Sequence, residues 1–388
     1  MSLETNRRKE IRGRPLIGLF CVVLVVFCLM AAGPGCIGPT GTTKTDITHT
    51  TTSTTLTSSA ASTTSGTTAS LTTSTSQVGP SGLIESMSAS TTVLHPSYQW
   101  TYKQREWMWD LKIPEALYDY YKGLPRAPTQ NYSIYVTHPL DDSCIAQAVS
   151  EIEKAAADRG FSDWEKVNFT RSFVQSLPYT VDSETTPFDE YPRYPVETLV
   201  DGGGDCEDTS ILLAALLRAM NYDVVLLEFS THMAVGVSGG EGVYGTYWSY
   251  EGKKYFYIET TGAGWGIGEI PDAYVDSTAK VLVMKPVPVI THTWTSTSSG
   301  SRMRLKVVID NLGSADASGF QVLAGFDAGD SQAWNVERSE HFDLAMGSRV
   351  TVEMTLEIPR NEYTRVLVQI LNSDDKAVDR TYSKWFDT

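Results

Sequence analysis

Basic residues are scarce in this 388-residue chain: 31 Lys and Arg stand against 46 Asp and Glu, for a net charge of −15. Five of the basic residues fall in the first 14 positions, so the remainder is more acidic still. A surface of that sign repels a phosphate backbone, and nucleic-acid binding is excluded. Cysteine is also scarce, with five in all. Cys21, Cys28 and Cys36 belong to an N-terminal apolar stretch, which leaves Cys144 and Cys206 for the folded part. Two cysteines make no disulfide framework, although an exterior compartment would permit a single Cys144–Cys206 bridge. No Cys/His set has zinc spacing, so no metal site is expected. No Gly-Lys-Ser/Thr string is present, and the glycine-rich run at 262–268 lacks the dinucleotide spacing. That run reads instead as a turn carrying Trp265 toward a cleft rim. No organic cofactor is implied. Large apolar residues almost vanish between 39 and 90, where Thr and Ser dominate. Such a tract cannot bury enough surface to offset its ordering entropy, so residues 37–95 are expected to form a disordered stalk.

The apolar residues missing from the stalk are concentrated elsewhere. Arg7, Arg8, Lys9, Arg12 and Arg14 precede an apolar run over residues 16–32, the pattern of a signal peptide or single membrane anchor. The basic side stays in the cytoplasm, which places the rest of the chain on the extracytoplasmic face of the cell membrane. Gly35-Cys36-Ile37-Gly38, followed by a Thr/Ser tract, resembles the lipidation site of archaeal surface lipoproteins. Two attachments therefore stand open: a lipid on Cys36, or the apolar segment retained in the bilayer.

Beyond the stalk, apolar spacing predicts a helix over 142–160 through Ile145, Val149, Ile152 and Ala156. Ser162 and Glu165 form a capping-box pattern opening a second helix that runs to Leu177 before Pro178. A third, over 206–220, is apolar nearly all round and should be the central one. Strand-like runs follow at 223–229, 232–237 and 254–259. Helices before adjacent strands predict an α+β domain with an antiparallel sheet, over residues 96–287. After a Pro-containing hinge the period changes to two: Met303, Leu305, Val307 and Ile309 alternate with polar residues, as do Val350, Val352, Met354, Leu356 and Ile358. Residues 288–388 are thus expected to form an all-β immunoglobulin-like sandwich.

Chemistry converges on Gly202-Gly203-Gly204-Asp205-Cys206-Glu207-Asp208-Thr209. The glycines permit close backbone approach, and a cysteine in the first turn of a helix faces the positive end of its dipole, which is expected to lower the thiol pKa. An unperturbed thiol is only roughly 3% ionised at pH 7, so a base is wanted. His232 opens one strand and Glu259 closes another. Side by side, those strands would supply a base and its orienting acid. Asp205 and Asp208 are read as helix caps. His138 is the one other histidine in this region, and no strand acid pairs with it.

Gly-Asp-Cys at a helix start, His-Met at a strand start and an acid in a Tyr-rich strand resemble the transglutaminase-like superfamily, over about residues 173–271. The stretch 194–212 carries the most specific part of the match. The resemblance implies a papain-like fold with Cys206 as nucleophile, His232 as general base and an acid at position 259, where this chain has Glu in place of the usual Asp. It implies acyl transfer or hydrolysis at amide or peptide bonds of a protein or peptide at the cell surface. Water is the abundant acceptor outside the cell, so hydrolysis is expected over cross-linking. The oxyanion donors are expected to be the backbone N–H of Cys206 and the side chain of Gln175. The competing expectation is a non-catalytic surface binding or assembly protein that keeps the same shell.

Overall fold

The computed structural model describes residues 70–72, 92–127, 129–239 and 242–388. The apolar N-terminal segment, Cys36 and all of the Thr/Ser tract up to residue 91 except 70–72 lie outside the described residues. Among the described residues, no helix is long and apolar enough to cross a membrane.

The chain is mixed α/β. Five helices of seven residues or more are described: α1 (Glu115–Gly123), α2 (Asp142–Arg159), α3 (Asp163–Val174), α4 (Pro195–Asp201) and α5 (Cys206–Ala219). Local chemistry explains their ends. Gly160 takes the left-handed conformation that stops α2, and Ser162 with Glu165 forms the expected capping box at the start of α3. That helix ends three residues short of the expected Leu177. Leu177 precedes Pro178, whose ring disfavours helical geometry in the residue before it.

Strands β1 (Val224–Glu228), β2 (Met233–Ser238), β3 (Tyr247–Tyr250), β4 (Lys253–Ile258) and β5 (Lys280–Val283) form one antiparallel sheet in the order β5-β1-β2-β4-β3. Both faces are covered, which is why β1 and β2 read as unbroken apolar runs. Val224, Leu226, Val235 and Val237 join the cluster around α5, while Val225, Leu227, Ala234 and Tyr257 join a second cluster on the far face. Helix α5 lies at the centre, against α2, α3, α4, β1 and β2. Its Ile211, Leu212, Leu213, Leu216 and Leu217 are fully buried, each contributing about 1.5–3 kcal/mol.

The C-terminal part is nearly all strand, in two sheets that share one apolar core, an arrangement compatible with a β-sandwich. One holds β6 (Ile290–Ser299), β7 (Arg302–Asn311) and β11 (Arg349–Glu357). The other holds β8 (Ala317–Gly329), β9 (Gln332–Arg338), β12 (Val366–Leu371) and β13 (Ala377–Tyr382), with β10 (Phe342–Leu344) pairing to β8. One three-residue piece of the Thr/Ser tract is among the described residues. Ser70–Thr72 is an antiparallel strand on the outer edge of β11, with Leu71 opposite Val352. Thr-rich chain has good strand propensity, and an uncovered edge offers it a row of unpaired amides.

Candidate active site

Helix α5 begins where three glycines let two segments touch. Gly202 has φ 75° and ends α4. A Cβ on Gly203 would collide with the Pro178 carbonyl, and one on Gly204 with the Asp208 side chain. Backbone hydrogen bonds Thr180 N→Gly204 O (3.1 Å) and Gly204 N→Pro178 O (3.3 Å) fasten the strip around Tyr179 alongside. Asp208 accepts from the backbone N–H groups of Asp205 (3.3 Å) and Arg193 (2.6 Å). It also pairs with the buried Arg193 guanidinium, which reaches Asp182 and Asp201 as well. Cys206 is thus the first residue of a helix whose start is pinned by an ion network, and Asp208 caps it as expected.

The same helix is tied to both strand ends. Ser210 Oγ donates to Met233 O (3.1 Å), and Thr209 Oγ1 donates to Thr260 Oγ1 (2.9 Å). Ser210 and Thr260 hydroxyls also meet at 3.1 Å. His232 stands one residue before β2 and Glu259 one residue after β4, on neighbouring strands. His232 Nε2 lies 3.2 Å from Glu259 Oε2. Tyr257 Oη donates to the same oxygen (2.6 Å) and is 3.3 Å from Nε2. Glu259 Oε1 accepts from Thr260 N, Thr261 N and Thr261 Oγ1 at 3.0, 3.0 and 2.8 Å. Burial opposes charge on Glu259, yet hydrogen bonds from His232, Tyr257 and Thr261 outweigh it and hold the carboxyl at about 2. Tyr274 stacks on the imidazole, 4.6 Å away and 9° from parallel. Nε2 is engaged by the acid, so Nδ1 is the nitrogen left to face a thiol.

The Cys206 sulfur lies against the backbone N–H of Met233, the neighbour of His232. Its environment contradicts the lowered pKa expected from the helix dipole. Burial pushes the thiol up, and the adjacent Glu207 carboxylate raises it further, against the smaller opposing effect of the Met233 N–H. The Sγ–H donates to Glu207 Oε2 at 3.3 Å. At rest this is a protonated thiol.

Gln175 also departs from expectation. Its Nε2 donates to Glu259 O (2.6 Å) and Trp265 O (3.2 Å). Both amide hydrogens are engaged, so none remains for an oxyanion; the side chain instead braces the chain that carries Glu259. Trp265, half-buried, is held beside that chain by the same amide. Cys144 and Cys206 are both free, which removes the disulfide alternative. His138 is a core residue: burial lowers it to about 4, and Nδ1 sits 2.8 Å from Tyr121 Oη.

Four side chains near the site went unassigned from sequence: Glu207, Tyr257, Tyr274 and Tyr179. Tyr257 could have been found, because it precedes Glu259 by two in a strand and so points to the same face. Tyr179 arrives from a connecting segment and Tyr274 from the short 3-10 helix Asp272–Tyr274, neither with a sequence period. Tyr179 is 54% exposed beside the strip that leads to Cys206.

No family model matches the chain, and no curated protein matches it. Among solved structures, calcium-bound LapG of Legionella pneumophila is similar over 35% of this chain and 87% of that one, at 19% identity and a TM-score of 0.22. The CARDB domain of the PF1109 protein of Pyrococcus furiosus is similar over 26% of this chain and 86% of that one, at 12% identity and a TM-score of 0.19. A beta-glucosidase from Kluyveromyces marxianus matches over 26% of this chain, which spans only 15% of that enzyme, at 16% identity and a TM-score of 0.19. At such scores the likenesses carry no argument about activity.

Proposed function

We propose that the chain is an extracytoplasmic, membrane-anchored cysteine enzyme of transglutaminase-like type. It acts on amide or peptide bonds through Cys206, His232 and Glu259, in a papain-like domain over residues 96–287. An immunoglobulin-like accessory domain follows over 288–388. The observation that carries the reading is the His232–Glu259 pair, at 3.2 Å, on the two strand ends to which the helix of Cys206 is bonded.

Glu259 fixes the imidazole with Nε2–H toward itself and leaves Nδ1 basic. The Sγ–C bond forms at the substrate carbonyl as the thiol proton passes to Nδ1, so no standing thiolate is needed. The tetrahedral oxyanion is met by the free backbone N–H of Cys206 at the helix start. Imidazolium then returns the proton to the leaving amine, the C–N bond breaks, and water resolves the thioester. Trp265 is assigned to the rim of the substrate cleft, and Cys36 or the preceding apolar segment to the membrane.

A second reading has a specific observation in its favour. Glu207 beside Sγ keeps the thiol protonated, as suits a surface-binding scaffold that performs no chemistry. p-Nitrophenyl acetate decides between them on the full chain, with acetylation of Cys206 followed by peptide mass mapping. Stoichiometric acetyl-Cys206 that His232→Ala slows by about 100-fold supports the enzyme. A thiol equally unreactive in both proteins would leave the scaffold.

A further inference from the structure

Two carboxyl groups flank the thiol, and each leaves one buried oxygen without a hydrogen-bond partner. Glu207 is 6% exposed, and its Oε1 accepts no hydrogen bond. Asp205 Oδ1, also buried, accepts none. A ligand atom from each of Asp205, Cys206 and Glu207 falls within a group no more than 4.8 Å across. Two carboxylates that close, in a low dielectric, repel strongly unless a positive charge stands between them. Burial and then Asp205 push the Glu207 carboxyl up to about 10, so in the resting site a proton takes that place.

We infer that the Asp205–Glu207 pair is a substrate subsite for a guanidinium or ammonium group, so that the enzyme prefers a basic residue beside the amide bond attacked by Cys206. This rests on the catalytic reading above. The donor set favours an organic cation over a metal. A hard divalent ion wants six to eight oxygens, whereas this cluster offers two carboxyls and a soft sulfur. A guanidinium needs only two or three acceptors in a fork, which the two unpartnered oxygens supply. A cation here takes the place of the shared proton, so the net charge beside Sγ is unchanged and the gain is in positioning: the basic side chain is fixed next to the carbonyl that Cys206 attacks.

The test uses the full chain and peptidyl aminomethylcoumarin amides carrying Arg, citrulline, Leu or Glu before the scissile bond. Citrulline keeps the shape of arginine and lacks its charge. Arg should exceed citrulline by at least about tenfold in kcat/KM, the scale of one charge-assisted hydrogen bond. Glu207→Gln should collapse that ratio toward one. Independently of turnover, acetyl-arginine amide should protect Cys206 from iodoacetamide, and acetyl-citrulline amide should not. Arg and citrulline peptides cut within twofold of each other would overturn the subsite and leave the triad standing. Protection by calcium chloride but not by acetyl-arginine amide would overturn it in favour of a metal. A Cys206 that neither p-nitrophenyl acetate nor iodoacetamide modifies removes the catalytic reading, and the subsite with it.

Discussion

Each half of the molecule holds a histidine paired with a carboxylate, and the two pairs differ in what is left over. In the C-terminal sheets, His292 Nδ1 meets Asp379 Oδ2 at 2.7 Å while Nε2 meets Thr381 Oγ1 at 2.8 Å. Trp294 Nε1 donates to that same hydroxyl, and the His292 side chain has no exposed surface. Every polar position of the ring is occupied, and the network ties β6 of one sheet to β13 of the other. In the α/β part, His232 uses one nitrogen for Glu259 and keeps the other free, one residue from the N–H that faces Cys206. A saturated histidine is a rivet; one with a ring nitrogen to spare, next in sequence to the residue whose N–H meets Cys206, is a candidate base. An acid–histidine pair alone therefore does not mark an active site.

Substituting both rings breaks the comparison most sharply. His232→Ala should lower kcat/KM on a working amide substrate by about 1,000-fold or more, with a loss of about 1–3 kcal/mol in stability as the buried Glu259 gives up a partner. His292→Ala should leave kcat/KM within about twofold and cost about 1–3 kcal/mol of stability, because Asp379 and Thr381 lose their partner. Parallel kinetics and thermal denaturation on the two variants check this, and equal kinetic losses would erase the distinction.

Gln175→Ala should reduce kcat by about tenfold and lower Tm, since it frees two carbonyls that hold the acid-bearing chain. An oxyanion donor would cost about 100- to 1,000-fold with stability unchanged, so kcat and Tm measured together separate brace from donor.

A further effect concerns Glu207, and its sign is definite. Its folded-state pKa, raised to about 10, lies above the value near 4.5 expected when the chain unfolds. The folded form thus holds a proton that the unfolded form releases, and this favours folding only at low pH. The contribution is fully present below pH 4.5 and is lost as pH rises toward 10. Glu207→Gln should accordingly raise Tm more at pH 8.5 than at pH 5, as differential scanning calorimetry would show.

Much of the candidate site was legible in the chain itself. Cys206 opens a helix, as the glycines and capping aspartates imply, and His232 and Glu259 flank the strands expected of them. The apolar alternation located β7 and β11 to within two residues. The misses have common physical origins. Strand β3 is only four residues long, and β8 contains register shifts that break the period of two. Gln175 could be placed near the site by its helix, but the two carbonyls that claim its amide arrive from 84 and 90 residues away. The charge beside Cys206 was misjudged because the dipole acts on any first-turn residue, whereas Glu207's rotamer and burial are set by tertiary packing. Burial first and the immediate neighbour in sequence second raise the thiol.

The hydroxyls of Thr209, Ser210 and Thr260 form a short bridge between the central helix and the end of the acid-bearing strand. Because that bridge lies in the core rather than in a loop, nucleophile and acid cannot drift apart by local fraying. They separate only when the helix leaves the sheet, which is the cooperative melting of the whole unit. Turnover should hence hold nearly to the melting temperature and then stop abruptly, so that loss of activity reports on global unfolding as faithfully as a spectroscopic probe.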